Sequence, residues 1–417
     1  MVYLSKARLS VSFLTCLLIG AGELAAAQDP FDFDLTASES SNLAWHVSGY
    51  VESRNQYFED SNNWNSNRVA GYVEVKWEGE EKAGLQWRAY GSVISEYDEE
   101  TRDYRDPART EVKEVYLLRD GDQVDVTIGK QRVAWGTADG VSTIDRLNAV
   151  DFRDPIGNAR TASRRPSWLV RTEAKLSSGI LEMVWLPRGR DRKLPEYGSP
   201  WEPADLRALR NQERLGLISL DLEDPHKDEW GVRYSSYGEG IDWSVAYFNG
   251  YTDGGVDLKQ VGNRLRFTPE HVETINVSGA LGLTSSTLRA EVAYTTGLVV
   301  DGVTNDIWQV VLGWDRTFLA NLYVNLQLFY DERTATPDDY GATFVVSNNA
   351  FDDAATYGLR GQVGKDGQLA IEGYFEFDVR DNLTLSTKYL VFDGEAGTAL
   401  YDYRDNDFLE LTLRWDF

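Results

Sequence analysis

The chain has 417 residues, 26% of them charged and 12% aromatic, with a formal net charge of −25. Such an acidic balance excludes nucleic acid as an expected partner, because phosphate binding needs clustered basic charge. The one cysteine, Cys16, lies near the N-terminus, so the remainder can hold no disulfide, thiolate metal site or covalently attached haem, and no cofactor is expected.

In chain order, Lys6 and Arg8 precede an apolar run from Val11 to Ile19, and Ala25-Ala26-Ala27 follows before Gln28. This is the order of a secretory signal peptide, with cleavage expected after Ala27. The run is too short for a spanning helix, which needs about 20 apolar residues. Residues 28–43 then read as a short periplasmic segment and 44–417 as one domain without a linker.

From residue 44 onward helical periodicity is almost absent, and period-two alternation recurs to the end. The first strand is expected over Ala44–Asn55. Later, Ile275, Val277, Gly279, Leu281 and Leu283 share one face, as do Trp308, Val310, Leu312 and Trp314. Ala320, Leu322, Val324, Leu326, Leu328 and Tyr330 alternate with polar neighbours, and Leu369 to Phe377 repeats the pattern. These segments run to about 10 residues, the length of a tilted membrane-spanning strand, with aromatics near their ends.

Turns rich in Gly, Asp, Asn and Ser, such as Arg119-Asp120-Gly121-Asp122 and Ser177-Ser178-Gly179, alternate with long connectors near 135–166, 187–227 and 251–270. Much of the acidic charge sits in such connectors and reads as loop solvation. Short turns on one side and long loops on the other is the asymmetry of a transmembrane barrel. A first count gives 17 strands, whereas bacterial single-chain barrels have an even number. A downward strand at Tyr340–Ser347 restores parity. The fold class expected is all-β, one closed antiparallel transmembrane β-barrel of about 18 strands, with 16 as the fallback. The tract Leu215–Leu222 reads as part of a long outer loop.

After the fifth strand the chain reads Gly129-Lys130-Gln131-Arg132-Val133-Ala134-Trp135-Gly136, followed by Asp139, Asp145, Asn148 and Asp151. With Val124, Val126 and Ile128 facing lipid, unbroken parity would aim Lys130 and Arg132 at lipid as well. A bulge at Gly129 is expected to reset the parity and turn Arg132 inward. The next 30 or so residues are long for a structureless connection. Arg146, Arg153, Asp145 and Asp151 within them are candidates for an inward constriction loop. An outer loop laced with surface ion pairs is the competing reading. Arg171, Arg289 and Arg360 are further candidates on the lumen wall, among Glu52, Arg54, Glu74, Lys76, Arg88, Arg233, Glu291, Glu372, Lys388, Glu410 and Arg414. Opposite charges across strands stabilise such a wall, and for any one residue that structural role is favoured over binding.

At the C-terminus Leu409, Leu411, Leu413, Trp415 and Phe417 form one face, and the chain stops on Phe417. This strand resembles the assembly signature of outer-membrane barrels, with Trp415 and Phe417 as its signal residues. The Gly129–Gly136 segment resembles a motif of porin-like outer-membrane proteins, of the alginate-export type and of uncharacterised proteobacterial barrels. The resemblance implies an outer-membrane location. It also implies the partners of such barrels: outer-membrane lipid and lipopolysaccharide, the barrel-assembly machinery, and a possible periplasmic or extracellular protein.

His46, His226 and His271 have neither metal-ligand spacing nor a catalytic arrangement, so an enzyme is not expected. The leading reading is a channel for small or extended hydrophilic solutes. The alternative is a barrel sheath that houses an exported multihaem cytochrome.

Overall fold

The computed structural model describes residues 44–59, 65–98, 108–138, 140–153, 164–190, 192–222, 227–238, 240–300, 302–318 and 321–417. The expected signal peptide, the segment 28–43 and the residues Asp139 and His226 lie outside these. Among the described residues no helix is long and apolar enough to cross a membrane; the chain crosses with strands.

Eighteen strands close into one antiparallel barrel. They are β1 (Ala44–Phe58), β2 (Asn65–Glu78), β3 (Leu85–Asp98), β4 (Ala108–Gly121), β5 (Val124–Gln131) and β6 (Ser167–Leu176). Next come β7 (Gly179–Leu186), β8 (Glu229–Ser236), β9 (Ile241–Val261), β10 (Arg264–Gly282), β11 (Thr287–Val300) and β12 (Val303–Thr317). The last are β13 (Tyr323–Arg333), β14 (Asp339–Ala350), β15 (Ala355–Gly364), β16 (Leu369–Arg380), β17 (Leu383–Asp393) and β18 (Phe408–Asp416). The parity argument and the added strand at Tyr340–Ser347 are borne out, that strand being β14.

Each strand pairs with its neighbours in sequence, and β18 closes on β1 from Tyr50 opposite Asp416 to Phe58 opposite Phe408. Phe417 extends the seam: its N–H donates to the Gly49 carbonyl at 2.9 Å, and the Gly49 N–H donates back at 3.0 Å. Closure leaves no unpaired edge in the barrel wall, which is what hydrocarbon demands. Alternation places Val47, Val51, Ile128, Leu312, Leu328, Leu359 and Leu411 outward and exposed. Trp45, Trp87, Trp243 and Trp415 ring the rim of short turns. Tyr57, Tyr97, Trp168, Trp185, Trp230 and Tyr340 ring the other. An apolar belt between two aromatic girdles is the surface a bilayer selects.

Three expectations need correction. The connector at 251–270 is mostly strand: β9 and β10 run past the rim and turn at Gly262-Asn263. The loop after β7 contains a helix, α1 (Ala204–Arg214), whose Leu206 and Leu209 are buried against Leu265 of β10. Leu206 and Leu209 are its only large apolar side chains, beside Ala204 and Ala208, too few to show a helical period. Ser219–Leu222, in the tract expected to be loop, pairs in parallel with Arg264–Phe267 above the barrel.

Candidate functional site: an inward tongue

A further correction falls at Gly129. The pairing of β5 with both β4 and β6 runs without a shift through it, so no bulge resets the parity there. Gly129 instead has φ +145°, and a β-carbon on it would collide with the Val115 carbonyl. Lys130 does point outward, and its ammonium folds back to the Val112 carbonyl. The bulge lies on β4, where the register against β3 shifts between Val112 and Val115. Both intervening residues, Lys113 and Glu114, therefore face the lumen. Arg132 reaches the lumen side because the strand ends at Gln131; its N–H donates to Glu114 Oε1 at 2.7 Å.

Residues 132–138 and 140–153 then leave the wall and cross the barrel interior as a tongue. Its base is tied where Asn148 Nδ2 donates to the Val133 carbonyl at 2.7 Å and Asn148 Oδ1 accepts from the Val133 N–H at 3.1 Å. Trp135, 1% exposed, lies beneath the Arg233 guanidinium, 5.6 Å from the ring centre, and against the bare Cα of Gly231. Gly136 turns with φ +104°, where a side chain would meet Ser142 and Glu291.

The far end is held by two side chains six and eight strands round the ring from β5. Glu291 of β11 accepts the N–H groups of Thr137 (2.6 Å), Ala138 (2.9 Å) and Thr143 (2.8 Å), and the hydroxyls of Ser142 (3.0 Å) and Thr143 (3.1 Å). Gln327 of β13 accepts from Gly140 and Val141 at 2.8 and 3.1 Å. A tongue of non-repetitive backbone must satisfy its polar groups somewhere, and these two acceptors do so inside the barrel.

Behind the tongue Val133, Trp135, Ile144 and Leu147 pack on Val184, Leu186, Phe248, Val272, Leu298 and Ile307, which fill the side of β6–β12 with an apolar core. The wall away from this core is formed by β1–β4 and β13–β18. There Glu52, Arg68, Glu96 and Arg109 form a chain of ion pairs, and Arg54 and Lys388 converge on Glu410 at 2.6 and 3.1 Å. Tyr50 stacks on Tyr72 and Tyr90 on Tyr116, with Glu74 accepting from the Tyr72 and Tyr90 hydroxyls.

Of the residues singled out by sequence, Arg146 reaches from the tongue to Gln309 (3.0 Å), and Asp145 pairs with Arg164 (3.2 Å). Asp151 is gripped by Arg153 through Nε at 2.7 Å and by Arg165 at 3.4 Å, and Arg165 also pairs with Glu111 of β4. Burial opposes ionisation of Asp151. The hydrogen bonds and charge of Arg153, helped by Arg165, outweigh it and hold the carboxyl well below the usual carboxylate range. This cluster latches the returning tongue to the wall.

Arg171 is not at the constriction. It is buried behind the tongue, paired with Glu182 at 2.7 Å, and Arg233 shares that carboxylate. Arg289 lies near the rim of short turns, paired with Asp315. Arg360 pairs with Glu372 on the wall of the open side. Sequence reasoning put Glu291 on the wall but missed its role as anchor. The available signal was a lone carboxylate between outward Ala290 and Val292, facing a loop rich in small hydroxyl and glycine residues.

The chain belongs to a family of proteins of unknown function, DUF1302, whose model matches residues 28–417. No individual curated protein matches it in sequence. Among solved structures, it resembles OccAB2 of Acinetobacter baumannii with a TM-score of 0.55 at 9% identity, over 89% of this chain and 98% of that one. OmpF of Salmonella typhi, solved in complex with daunomycin, matches at a TM-score of 0.48 and 11% identity, over 89% and 97%. At such identities the likeness to OccAB2 concerns the fold alone, that of an outer-membrane porin barrel.

Proposed function

We propose that this member of the DUF1302 family is a channel of the Gram-negative outer membrane that passes small hydrophilic solutes through the half of the lumen beside the tongue. One observation carries the reading: the tongue crosses the barrel interior to Glu291 and Gln327, and the apolar core behind it lies on the side of β6–β12. The half it leaves is walled by charged groups and tyrosines, a lining suited to hydrated solutes. The apolar belt and girdles support insertion in a bilayer with the short turns on the periplasmic side. Lipid, lipopolysaccharide and the barrel-assembly machinery are the partners such a surface and closing strand call for.

The sheath alternative has no observation in its favour. A folded cytochrome would need the space that the tongue and its apolar core already fill.

The test is conductance of the purified full chain in a planar bilayer, alongside fractionation of the cell envelope. Discrete ohmic steps that grow when residues 140–150 are deleted are expected. A protein that inserts and conducts nothing at any voltage, with or without the deletion, would sink the reading.

A further inference from the structure

We propose that residues 192–222 form a lid that shuts the long-loop mouth of the barrel, with Trp201 as the key that holds it closed. The proposal rests on the channel reading and adds a gate to it.

The segment starts beside β7, where the buried Arg190 pairs with Glu229 of β8 at 3.1 Å. It pairs with the tongue at Lys193, whose carbonyl accepts from Phe152 at 2.8 Å. Trp201 then docks on β16, β17, β18 and β1, half-way round the ring from β8. Finally α1 carries the chain back to β10, where Leu206 and Leu209 cover Leu265. The segment therefore spans the mouth and returns.

Trp201 enters an apolar socket. Lumen-facing positions of a barrel are ordinarily polar. At the top of these four strands they are Phe58, Ala370, Leu390, Phe392 and Phe408, joined by Leu400 and Tyr403 from the loop before β18. Trp201, 3% exposed, fills them; its ring lies 5.9 Å from Phe58, 5.8 Å from Phe408, 6.1 Å from Phe392 and 6.0 Å from Tyr403. Edge-on packing against three phenyl rings fixes the indole closely.

The lid is attached unevenly. Its own cohesion comes from the fully buried Glu202 carboxylate, which holds Arg210 at 2.7 Å, Arg207 at 3.3 Å and the Gly198 N–H at 2.7 Å. Among the described residues, three hydrogen bonds run across to the socket loop. Asn406 Nδ2 donates to the Pro200 carbonyl at 2.6 Å, the Tyr403 hydroxyl to the Trp201 carbonyl at 3.4 Å, and the Ala204 N–H to Asp402 at 3.1 Å. A body that is stitched internally and keyed at one end by one ring has two discrete arrangements, key in and key out.

The experiment compares the wild type with Trp201→Gly and Asn406→Asp in the full chain. Asn406→Asp replaces the amide donor facing the Pro200 carbonyl with a carboxylate and leaves the socket's apolar side chains in place, so it stands in if the first variant folds poorly. Both are expected to conduct several-fold more than the wild type. Free indole added on the loop side should refill the hole left by Trp201→Gly and lower its conductance again, as apolar ligands enter engineered cavities. A second readout is independent of conduction. Leu390→Cys, in a Cys16→Ser background, should resist an impermeant maleimide in the wild-type lid and label rapidly in either open variant. Equal labelling in all backgrounds overturns the lid, whatever the conductance. Protected labelling with no conductance in any variant keeps the lid and removes the channel reading instead.

Discussion

Gly231 on β8 leaves the room that Trp135 of the tongue occupies: a β-carbon built on Gly231 would stand 2.7 Å from Cη2 and 3.0 Å from Cζ3 of the indole. Trp135 is the apolar anchor of the tongue, held from one side by Arg233 and surrounded by Ile144, Leu147 and Phe248. With those neighbours in place the rigid ring has nowhere cheap to move. Gly231→Ala is therefore expected to overpack the site by about 1–3 kcal/mol. The relief is a shift of the tongue, since the wall is fixed by its ladder of hydrogen bonds. Single-channel recordings should show a larger or noisier conductance with the barrel intact. A conductance identical to the wild type would show that Trp135 does not set the tongue's position.

Glu291 holds the other end with one carboxylate for three N–H groups and two hydroxyls. Hydrogen bonds to a charged acceptor contribute about 1.5–3 kcal/mol each at most, and water from the lumen can replace part of the set. Glu291→Ala should thus loosen the tongue tip by roughly 2–4 kcal/mol without unfolding the barrel. Hydrogen exchange at residues 137–143 reports this directly and should speed up strongly. Glu291→Gln keeps an acceptor oxygen and should lie between the two. Exchange unchanged in Glu291→Ala would remove Glu291 as the anchor.

How much of this was legible in the sequence differs between wall and interior, for a physical reason. The strands face hydrocarbon on one side, so every second residue is constrained, and Leu322 to Tyr330 or Leu409 to Phe417 announce themselves. Parity of the count then recovered β14. The interior obeys no period. Trp135, Glu291 and Gln327 lie far apart in sequence and meet only because the tongue crosses to the far wall, so a motif at Gly129–Gly136 could suggest an unusual segment but not its docking site. Gly129 shows the limit most plainly. The parity of Lys130 and Arg132 reads in sequence as a bulge at Gly129, yet the pairing passes through Gly129 unbroken and the bulge falls on the adjacent strand at Lys113-Glu114. Trp201 gave no signal either, since one tryptophan in a long loop has no pattern around it.

The Asp151 latch predicts resistance to acid. Its carboxyl titrates in the folded state well below the unfolded value of about 3.9, because Arg153 and Arg165 favour the ionised form. A depressed folded pKa gives stability that is fully present above the unfolded pKa and is lost only as pH falls through the folded one. Conductance should therefore show no change from this group between pH 7 and about 5, a window above both values. Asp151→Asn removes the charge at every pH and strands Arg153 and Arg165 beside each other, with Glu111 left to hold both. It is expected to loosen the base of the tongue equally at pH 7 and pH 5. A wild-type conductance that rises on acidification to pH 5 while Asp151→Asn stays flat would contradict the depressed pKa.

Leu312 tests the orientation of the wall. It lies mid-way along β12, points outward and is more than half exposed, whereas its neighbour Val311 faces inward and is buried. If that face meets hydrocarbon, Leu312→Arg places a charge near the bilayer midplane at a cost of about 2–4 kcal/mol. Urea titration of the barrel refolded in lipid vesicles should show a loss of that size. In water the same exposed position would tolerate arginine with almost no change, so a loss under about 0.5 kcal/mol would remove the outer face of β12 from the membrane.

The seam at Phe417 carries the last prediction. Residue 417 adds two backbone hydrogen bonds to the closing pair, both with Gly49, and its ring lies tilted against Trp415, 5.5 Å between centres, on the outward face. Gly49 has no room to change partners: a β-carbon there would stand 2.2 Å from the Tyr72 carbonyl oxygen and 2.9 Å from the Phe417 ring. Removing Phe417 therefore shortens the seam at the rim where β1 and β18 meet, and exposes the Gly49 N–H and carbonyl at the membrane interface. The rest of the seam, from Tyr50 to Phe58, is untouched. The finished barrel should lose little stability, because interface water can satisfy the freed groups. The resemblance of this strand to an assembly signature predicts that assembly suffers more. The expected result is a sharply lower yield of heat-modifiable barrel in the outer-membrane fraction, with near-normal unfolding of the molecules that do assemble. Normal yield with lowered stability would reverse the assignment and make Phe417 a structural seam residue only.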